Sequence, residues 1–199
     1  MSRSVANFRQ RPPHQVRIIG GRWRRTLLPV LERPDLRPTP DRVRETLFNW
    51  LGQDLTGWRV VDAFAGTGAL GLEAASRGAA DVLLIEQDAA LAANLQALKQ
   101  RLMADTVRVQ RGDGVALLAA LTAASLDLAL LDPPFGQQAL VEPALRAAAR
   151  AVRTGGFVYL ESSKRCGDQT LAGLGLALYR HLQAGAVHAH LTRREPACA

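Results

Sequence analysis

Val60-Val61-Asp62-Ala63-Phe64-Ala65-Gly66-Thr67-Gly68-Ala69-Leu70-Gly71 carries an apolar strand into an acid, then a glycine-rich turn and the start of a helix. Arg59 to Ala63 reads as a short buried parallel strand, and Ala69 to Arg77 has helical composition. Gly66 and Gly68 let the backbone turn sharply and approach a ligand closely. The stretch is a nucleotide-type cradle. Gly66, Gly68 and Gly71 also fit the dinucleotide pattern G-x-G-x-x-G, so a nicotinamide cofactor is a competing reading. Asp62 weighs against it, because a carboxylate at the strand's carboxyl end gains nothing beside a pyrophosphate. S-adenosylmethionine carries a sulfonium, an α-ammonium and no phosphate, and suits an acid here. The plainer alternative is that Asp62 only caps the glycine turn.

Working outward, Asp81 to Ile85 is a second apolar strand ending in Glu86, 24 residues beyond Asp62, the spacing at which doubly wound folds place an acid on a ribose. Ala89 to Leu102 is a helix rich in alanine and leucine. Thr106 to Gln110 is a third strand, leading to Gly112-Asp113-Gly114. Asp113 then either contacts the ligand over the same crevice or caps the helix Val115 to Leu121, and the two roles are compatible. Leu126 to Leu131 is a fourth strand, Gln138 to Val152 a helix, and Gly156 to Leu160 a fifth strand. A glycine-spotted connection follows from Ser162 to Gly175. Leu176 to Gln183 and Ala186 to Thr192 are joined through Ala184-Gly185, too short for a parallel crossover, and so form an antiparallel pair. Strands alternating with helices and closed by such a pair predict an α/β fold with a mainly parallel sheet and one reversed strand.

Toward the amino terminus, Asp41 to Leu51 places Val43, Leu47, Phe48 and Leu51 at helical spacing, with Arg42 and Arg44 in its first turn. Pro34 to Pro40 is a proline-punctuated linker before it. Val16 to Leu28 alternates apolar and basic residues around Gly20-Gly21, a hairpin or bent strand carrying arginines beside Trp23. Residues 1–15 hold few apolar positions and read as a flexible basic arm, 16–36 as a basic ribbon, and 37–199 as the catalytic domain.

The 199 residues suffice for one domain with a sizeable core. The chain's net charge of +7 is confined to its first 59 residues, which carry 12 Lys or Arg against 5 Asp or Glu. That is the electrostatic footprint of a polyanion partner, with a solubilising tail as the alternative. Arg17, Arg22, Arg24, Arg25 and Arg42, with Trp23, are the expected RNA contacts, since arginine beside an aromatic ring suits RNA. No apolar run is long enough to span a bilayer. The polar, arginine-bearing start lacks the hydrophobic core of a secretory signal, though an organelle transit peptide stays open. Cys166 and Cys198 lack metal-ligand spacing, which predicts reduced thiols, no metal and a cytoplasmic protein.

Asp132-Pro133-Pro134-Phe135 is the most specific feature. Two prolines stiffen the chain just past the fourth strand and donate no hydrogen bonds, leaving carbonyls for the crevice. The Asp132 carboxylate and the Pro133 carbonyl can hold the two N–H groups of a planar exocyclic amine while Phe135 stacks on the attached base. Such bonds aim the nitrogen lone pair at an electrophile, and positioning then supplies much of the catalysis. Asp132 also serves as the later proton acceptor.

With these residues in view, the chain resembles Rossmann-like S-adenosylmethionine methyltransferases that modify an exocyclic amine. More narrowly, it is similar to the bacterial small-subunit rRNA guanine-N2 methyltransferase D (RsmD) family. The likeness is carried by Arg17 to Trp23, Arg37 to Trp50, Asp62 to Gly71 and Asp132 to Phe135. It implies a seven-stranded sheet, guanine in 16S rRNA as substrate, and the small ribosomal subunit or an assembly intermediate as partner of a monomeric enzyme. It places Asp62, Gly66 and Gly68 around the methionine part of the cofactor, Glu86 on the ribose and Asp113 near the adenine, with Phe64 and Asp132 also among the cofactor-binding residues. Phe64 stands where the general methyltransferase turn has its first glycine. Rival readings are a DNA or protein amine methyltransferase, a dehydrogenase, and a non-catalytic RNA-binding assembly factor. The dehydrogenase lacks a proton relay, because His181, His188 and His190 fall in the terminal hairpin and read as surface residues.

Overall fold

The computed structural model describes residues 15–31, 39–134 and 136–196. All of the expected arm but Gln15, most of the Pro34 to Pro40 linker, Phe135 and Cys198 lie outside these described residues. In chain order the elements are β1 (Gln15–Arg17), β2 (Leu27–Pro29), α1 (Asp41–Leu51), β3 (Arg59–Asp62), α2 (Ala69–Ser76), β4 (Asp81–Glu86), α3 (Ala89–Leu102), β5 (Val107–Arg111) and α4 (Gly114–Ala120). Then come β6 (Leu126–Leu131), a 3-10 turn (Gln138–Leu140), α5 (Val141–Ala151), β7 (Val152–Ser162), α6 (Asp168–Gly173), β8 (Leu176–Ala184) and β9 (Val187–Arg194). No helix among the described residues is long and apolar enough to cross a membrane.

Seven strands form one sheet in the order β5-β4-β3-β6-β7-β9-β8. β9 alone runs against the rest, pairing antiparallel with both β7 and β8. This is the sheet that the sequence pattern predicts. Alternation along each central strand sends Val60, Leu84, Leu128, Leu130 and Tyr159 to one face, under α1, α2 and α3. Val61, Leu83, Ala129, Leu131 and Leu160 go to the other, under α4, α5 and α6. The strand order reverses direction at β3 and β6, so the crevice lies above their carboxyl ends.

Several expectations are corrected. β7 begins four residues earlier than Gly156, because Val152 pairs with Leu126 and the register shifts before Phe157 meets Leu128. A sixth helix occupies part of the Ser162 to Gly175 connection, held by Leu171 on the α5 side of the sheet. The histidines are not all surface residues. His190 is fully buried, accepting the Cys166 N–H at Nε2 (3.1 Å), while half-buried His181 and His188 stack beside it. Burial and the cationic neighbours hold His190 down to about 4, against the pull of the Leu160 carbonyl.

The basic ribbon makes no tight turn at Gly20-Gly21. β1 and β2 pair in the register Val16 to Leu28, and the nine residues between them fold down onto the end of α2. The Arg22 N–H donates to the Ser76 carbonyl (2.7 Å), the Trp23 N–H to Ser76 Oγ (2.9 Å), and Ser76 Oγ to the Gly20 carbonyl (2.6 Å). A Cβ on Gly21 would stand 1.8 Å from the Ser76 oxygen. The glycine pair is therefore there for close approach. Val16, Ile18, Leu28 and Val30 join the same apolar cluster as the sheet, and Trp23 packs half-buried against it.

A buried ionic hub fastens the ribbon, α1 and α2 together. Glu73, fully buried on α2, accepts the N–H groups of Ile19 and Gly20 at 2.8 Å each. It also pairs with Arg77 at 2.8 Å and with Arg44 at 3.5 Å. Arg44, itself fully buried, donates to the Arg17 carbonyl, the Thr39 carbonyl and the Asp41 carboxylate. Arg77 lies over the Phe48 ring, 4.7 Å from its centre. Arg44 is thus a structural residue that sets where Thr39 sits.

Candidate active site

The carboxyl ends of β3, β4, β5, β6 and β7 bring Asp62, Glu86, Asp113, Asp132 and Glu161 to one edge of the sheet. Four of these five were legible in the sequence. Asp62 is buried, and its Oδ2 accepts the Gly71 N–H at 2.9 Å. A Cβ on Gly71 would come 2.2 Å from Leu84 Cδ2 and 3.1 Å from Asp62 itself, so that glycine lets α2 close over the acid. Oδ1 of Asp62 is buried with no hydrogen-bond partner. Burial pushes the carboxyl up to about 7, the backbone N–H groups of Gly71 and Phe64 oppose that rise, and the charges on Glu86 and Glu161 add to it. An orphaned, half-ionised carboxylate oxygen is a receptor for a cation with N–H groups. The capping role is also real, and leaves one oxygen over.

Gly66 and Gly68 both adopt positive φ, +51° and +79°, as the turn requires. Glu86 braces that turn: Oε2 accepts the Gly66 N–H and Oε1 the Asp88 N–H, each at 2.8 Å. A carboxylate has about four acceptor sites, so these two bonds leave capacity for hydroxyl donors. Asp113 is exposed and caps α4 through the Ala116 N–H at 2.7 Å. Phe64 is half-buried and packs against the core cluster on the α4 side of the sheet, where a Cβ on Gly114 would come 3.2 Å from its ring. It is therefore a wall of the crevice, turned toward α4.

Asp132 is half-buried just past β6, and its Oδ2 accepts the Thr39 hydroxyl at 3.2 Å. Burial raises its proton affinity well above the ordinary carboxylate range, and the charges on Glu161 and Asp62 add to that. Pro133 is buried and Pro134 exposed. The Pro134 carbonyl accepts the Gln137 N–H at 3.0 Å and so closes the turn that follows the prolines. Phe135, the expected stacking residue, lies outside the described residues.

Sequence reasoning missed Glu161 and Thr39. Glu161 is buried on β7 and accepts the Tyr159 hydroxyl at 2.8 Å. Its signal was an acid ending the fifth apolar strand, as Asp62 and Asp132 end theirs. Thr39 was visible only inside the Arg37 to Trp50 segment, without a role.

The basic residues divide between two places: Arg42 lies in the first turn of α1, three residues past Thr39, and Arg22, Arg24 and Arg25 lie on the ribbon turn. Arg17, Arg22, Arg24, Arg25 and Arg42 are exposed, with Arg22 5.8 Å from the Trp23 ring centre. Arg22 and Trp23 bond to Ser76, at the far end of α2 from the glycine turn. Eight helical residues separate the two sites, about 12 Å at 1.5 Å per residue.

Residues 16–193 match the family profile described as conserved hypothetical protein 95. The chain is 40% identical over 183 residues to ribosomal RNA small subunit methyltransferase D of Escherichia coli strain K12, covering 91% of each. It is 38% identical over 159 residues to the protein of the same name from Haemophilus influenzae, covering 75% of this chain and 80% of that one. Among solved structures, yhhF from Escherichia coli superposes with a TM-score of 0.77 at 38% identity, over 92% of this chain and 99% of that one.

Proposed function

This chain belongs to the ribosomal RNA small subunit methyltransferase D family, and on that premise we propose that it methylates the exocyclic N2 of one guanine in the 16S rRNA of the small ribosomal subunit or an assembly intermediate. The observation that carries the chemistry is the carboxylate Asp132 at the mouth of the crevice, fixed by Thr39 and followed by two prolines. The methyl donor is S-adenosylmethionine, which supplies a methyl group already activated on a sulfonium. The Oδ1 of Asp62 takes its ammonium, Glu86 its ribose hydroxyls, and the Asp113 loop its adenine, with Phe64, Gly66 and Gly68 walling the methionine part. The donor fits the residues present, because Asp62 has a buried carboxylate oxygen without a hydrogen bond.

Asp132 and the Pro133 carbonyl hold the guanine amine, and Phe135 stacks on the ring. With the donor bound, its sulfonium would supply the methyl to the amine nitrogen, and Asp132 would receive the proton that the nitrogen sheds. Reaching a base inside RNA requires a single-stranded or extruded nucleotide. Arg17, Arg22, Trp23, Arg24, Arg25 and Arg42 contact phosphates flanking that nucleotide, since the ribbon turn is displaced from the crevice by the length of α2. The enzyme acts as a cytoplasmic monomer.

Three measurements bear on this reading. Labelled methyl should pass to unmodified small subunits and not to large subunits or DNA, and label in DNA would favour a DNA amine methyltransferase. Cofactor affinity should depend on pH with a fixed sign. Asp62 titrates near 7 instead of its ordinary 3.8, and only the ionised form pairs with the ammonium. Affinity therefore levels off above about pH 8 and falls about tenfold per unit well below 7, with protons released on binding. Calorimetry in buffers of different ionisation heat reads both effects, and a flat profile across this range contradicts the ammonium assignment. Finally, replacing Arg22, Arg24 and Arg25 with glutamine should weaken RNA binding and reduce its log–log salt slope by about two to three. An unchanged slope would mean that the ribbon does not touch phosphate.

A further inference from the structure

Glu161 is a buried carboxylate for which the chemistry above has no task. It follows Leu160, which pairs with Leu131, so Glu161 and Asp132 are the next residues along neighbouring parallel strands, roughly 4.8 Å apart. Alternation puts both on the face that carries Leu130 and Tyr159. The Tyr159 hydroxyl donates to Glu161 Oε1 at 2.8 Å. The Thr39 hydroxyl, bonded to Asp132 Oδ2 at 3.2 Å, also bears on Glu161. Asp62, two residues deeper on β3, is the third acid of the group.

We infer that Glu161 is a positioning residue for methyl transfer: its carboxylate, fixed by Tyr159 on the strand next to Asp132, strengthens Asp132 as the acceptor of the amine's proton. The inference rests on the reading that Asp132 receives the amine. In the step itself the N2–methyl bond forms and the methyl–sulfur bond breaks, its electron pair staying on sulfur. One proton passes from N2 to an Asp132 oxygen and later to solvent. A negative neighbour makes Asp132 hold that proton better. Burial raises the proton affinity of both carboxyls, and the charge on Glu161 raises that of Asp132 further, so the two acids titrate as a pair.

The test is the pH dependence of single-turnover methyl transfer with saturating S-adenosylmethionine and unmodified small subunits. Glu161→Gln keeps the shape and the acceptor for Tyr159 but removes the charge. The acid limb should move to lower pH by about one unit or more, and the plateau rate should fall about tenfold because Asp132 is a weaker base. Thr39→Val, which leaves both acids in place and withdraws the hydroxyl that donates to Asp132, should move the same limb to higher pH. Acid limbs that coincide with the wild type in both variants overturn the inference, even if the plateau drops, since lost packing slows a reaction without altering a titration. A wild-type enzyme that methylates no guanine amine at any pH would instead overturn the parent reading.

Discussion

Asp132→Ala is expected to lower the single-turnover rate of methyl transfer about 10³-fold while leaving S-adenosylmethionine affinity within about threefold. The size follows from losing two functions at once. The carboxylate accepts an amine N–H, which aims the nitrogen lone pair, and it receives the proton that nitrogen must shed. General base catalysis alone contributes about 10² to 10⁴. Affinity is spared because the groups assigned to the cofactor, Asp62 and Glu86, are anchored by their own partners, Gly71 for the first and Gly66 and Asp88 for the second. Asp132 touches Thr39 and neither of those anchors. Full activity in this variant would remove Asp132 from the site. A proportional loss of cofactor binding would reassign it to the cofactor.

The second large effect is on stability. Glu73→Gln keeps the side chain's shape on α2 and deletes the buried negative charge that Arg44 and Arg77 share, leaving Arg44 only the exposed Asp41 carboxylate among the ion pairs of the described residues. Glu73 and Arg44 are fully buried, and the Arg77 side chain is only 5% exposed. Breaking such a pair leaves an uncompensated buried charge, which costs about 3–5 kcal/mol. For a chain of this length that lowers the unfolding midpoint on the order of 10 °C. The glutamine also keeps only one carbonyl oxygen for the Ile19 and Gly20 N–H groups, so the ribbon should loosen before the sheet does. Hydrogen exchange at Ile18 to Trp23 reads that order, and a midpoint within 2 °C of the wild type, about 1 kcal/mol or less, would mean the hub is not structural.

The sheet was legible in the sequence because its information is local. Each buried strand is a short apolar run, each crossover helix follows a turn, and Ala184-Gly185 is too short for anything but an antiparallel return. Asp62, Glu86, Asp113 and Asp132 were legible for the same reason, since each ends a strand. The hub was not, because its bonds join residues far apart in the chain. Glu73 meets Ile19 across 54 positions, and Arg44 meets Arg17 across 27. The one available signal was a single acid in Ala69–Ser76, a helix whose other residues are small or apolar and whose every residue is buried. Thr39 escaped likewise: its link to Asp132 spans 93 positions. The ribbon's arginines were read as RNA contacts and are exposed, but composition carries no distance. Only the Ser76 contacts place them a helix length from the crevice.

These long-range contacts also explain why the Arg37 to Trp50 segment identified the family better than the cradle did. Its residues fix Thr39 over Asp132 through Arg44, and so connect the packing of the ribbon to the amine pocket. The cradle, by contrast, needs only an acid and glycines.

The most direct test of the central claim is the chemical identity of the product. Small subunits lacking the modification are treated with the enzyme and labelled S-adenosylmethionine, and the 16S rRNA is digested to nucleosides. The label should appear as N2-methylguanosine, at one methyl per subunit. Label in N6-methyladenosine, on a guanine ring nitrogen or on a ribose oxygen would contradict the assignment of the Asp132-Pro133-Pro134-Phe135 pocket to the guanine amine.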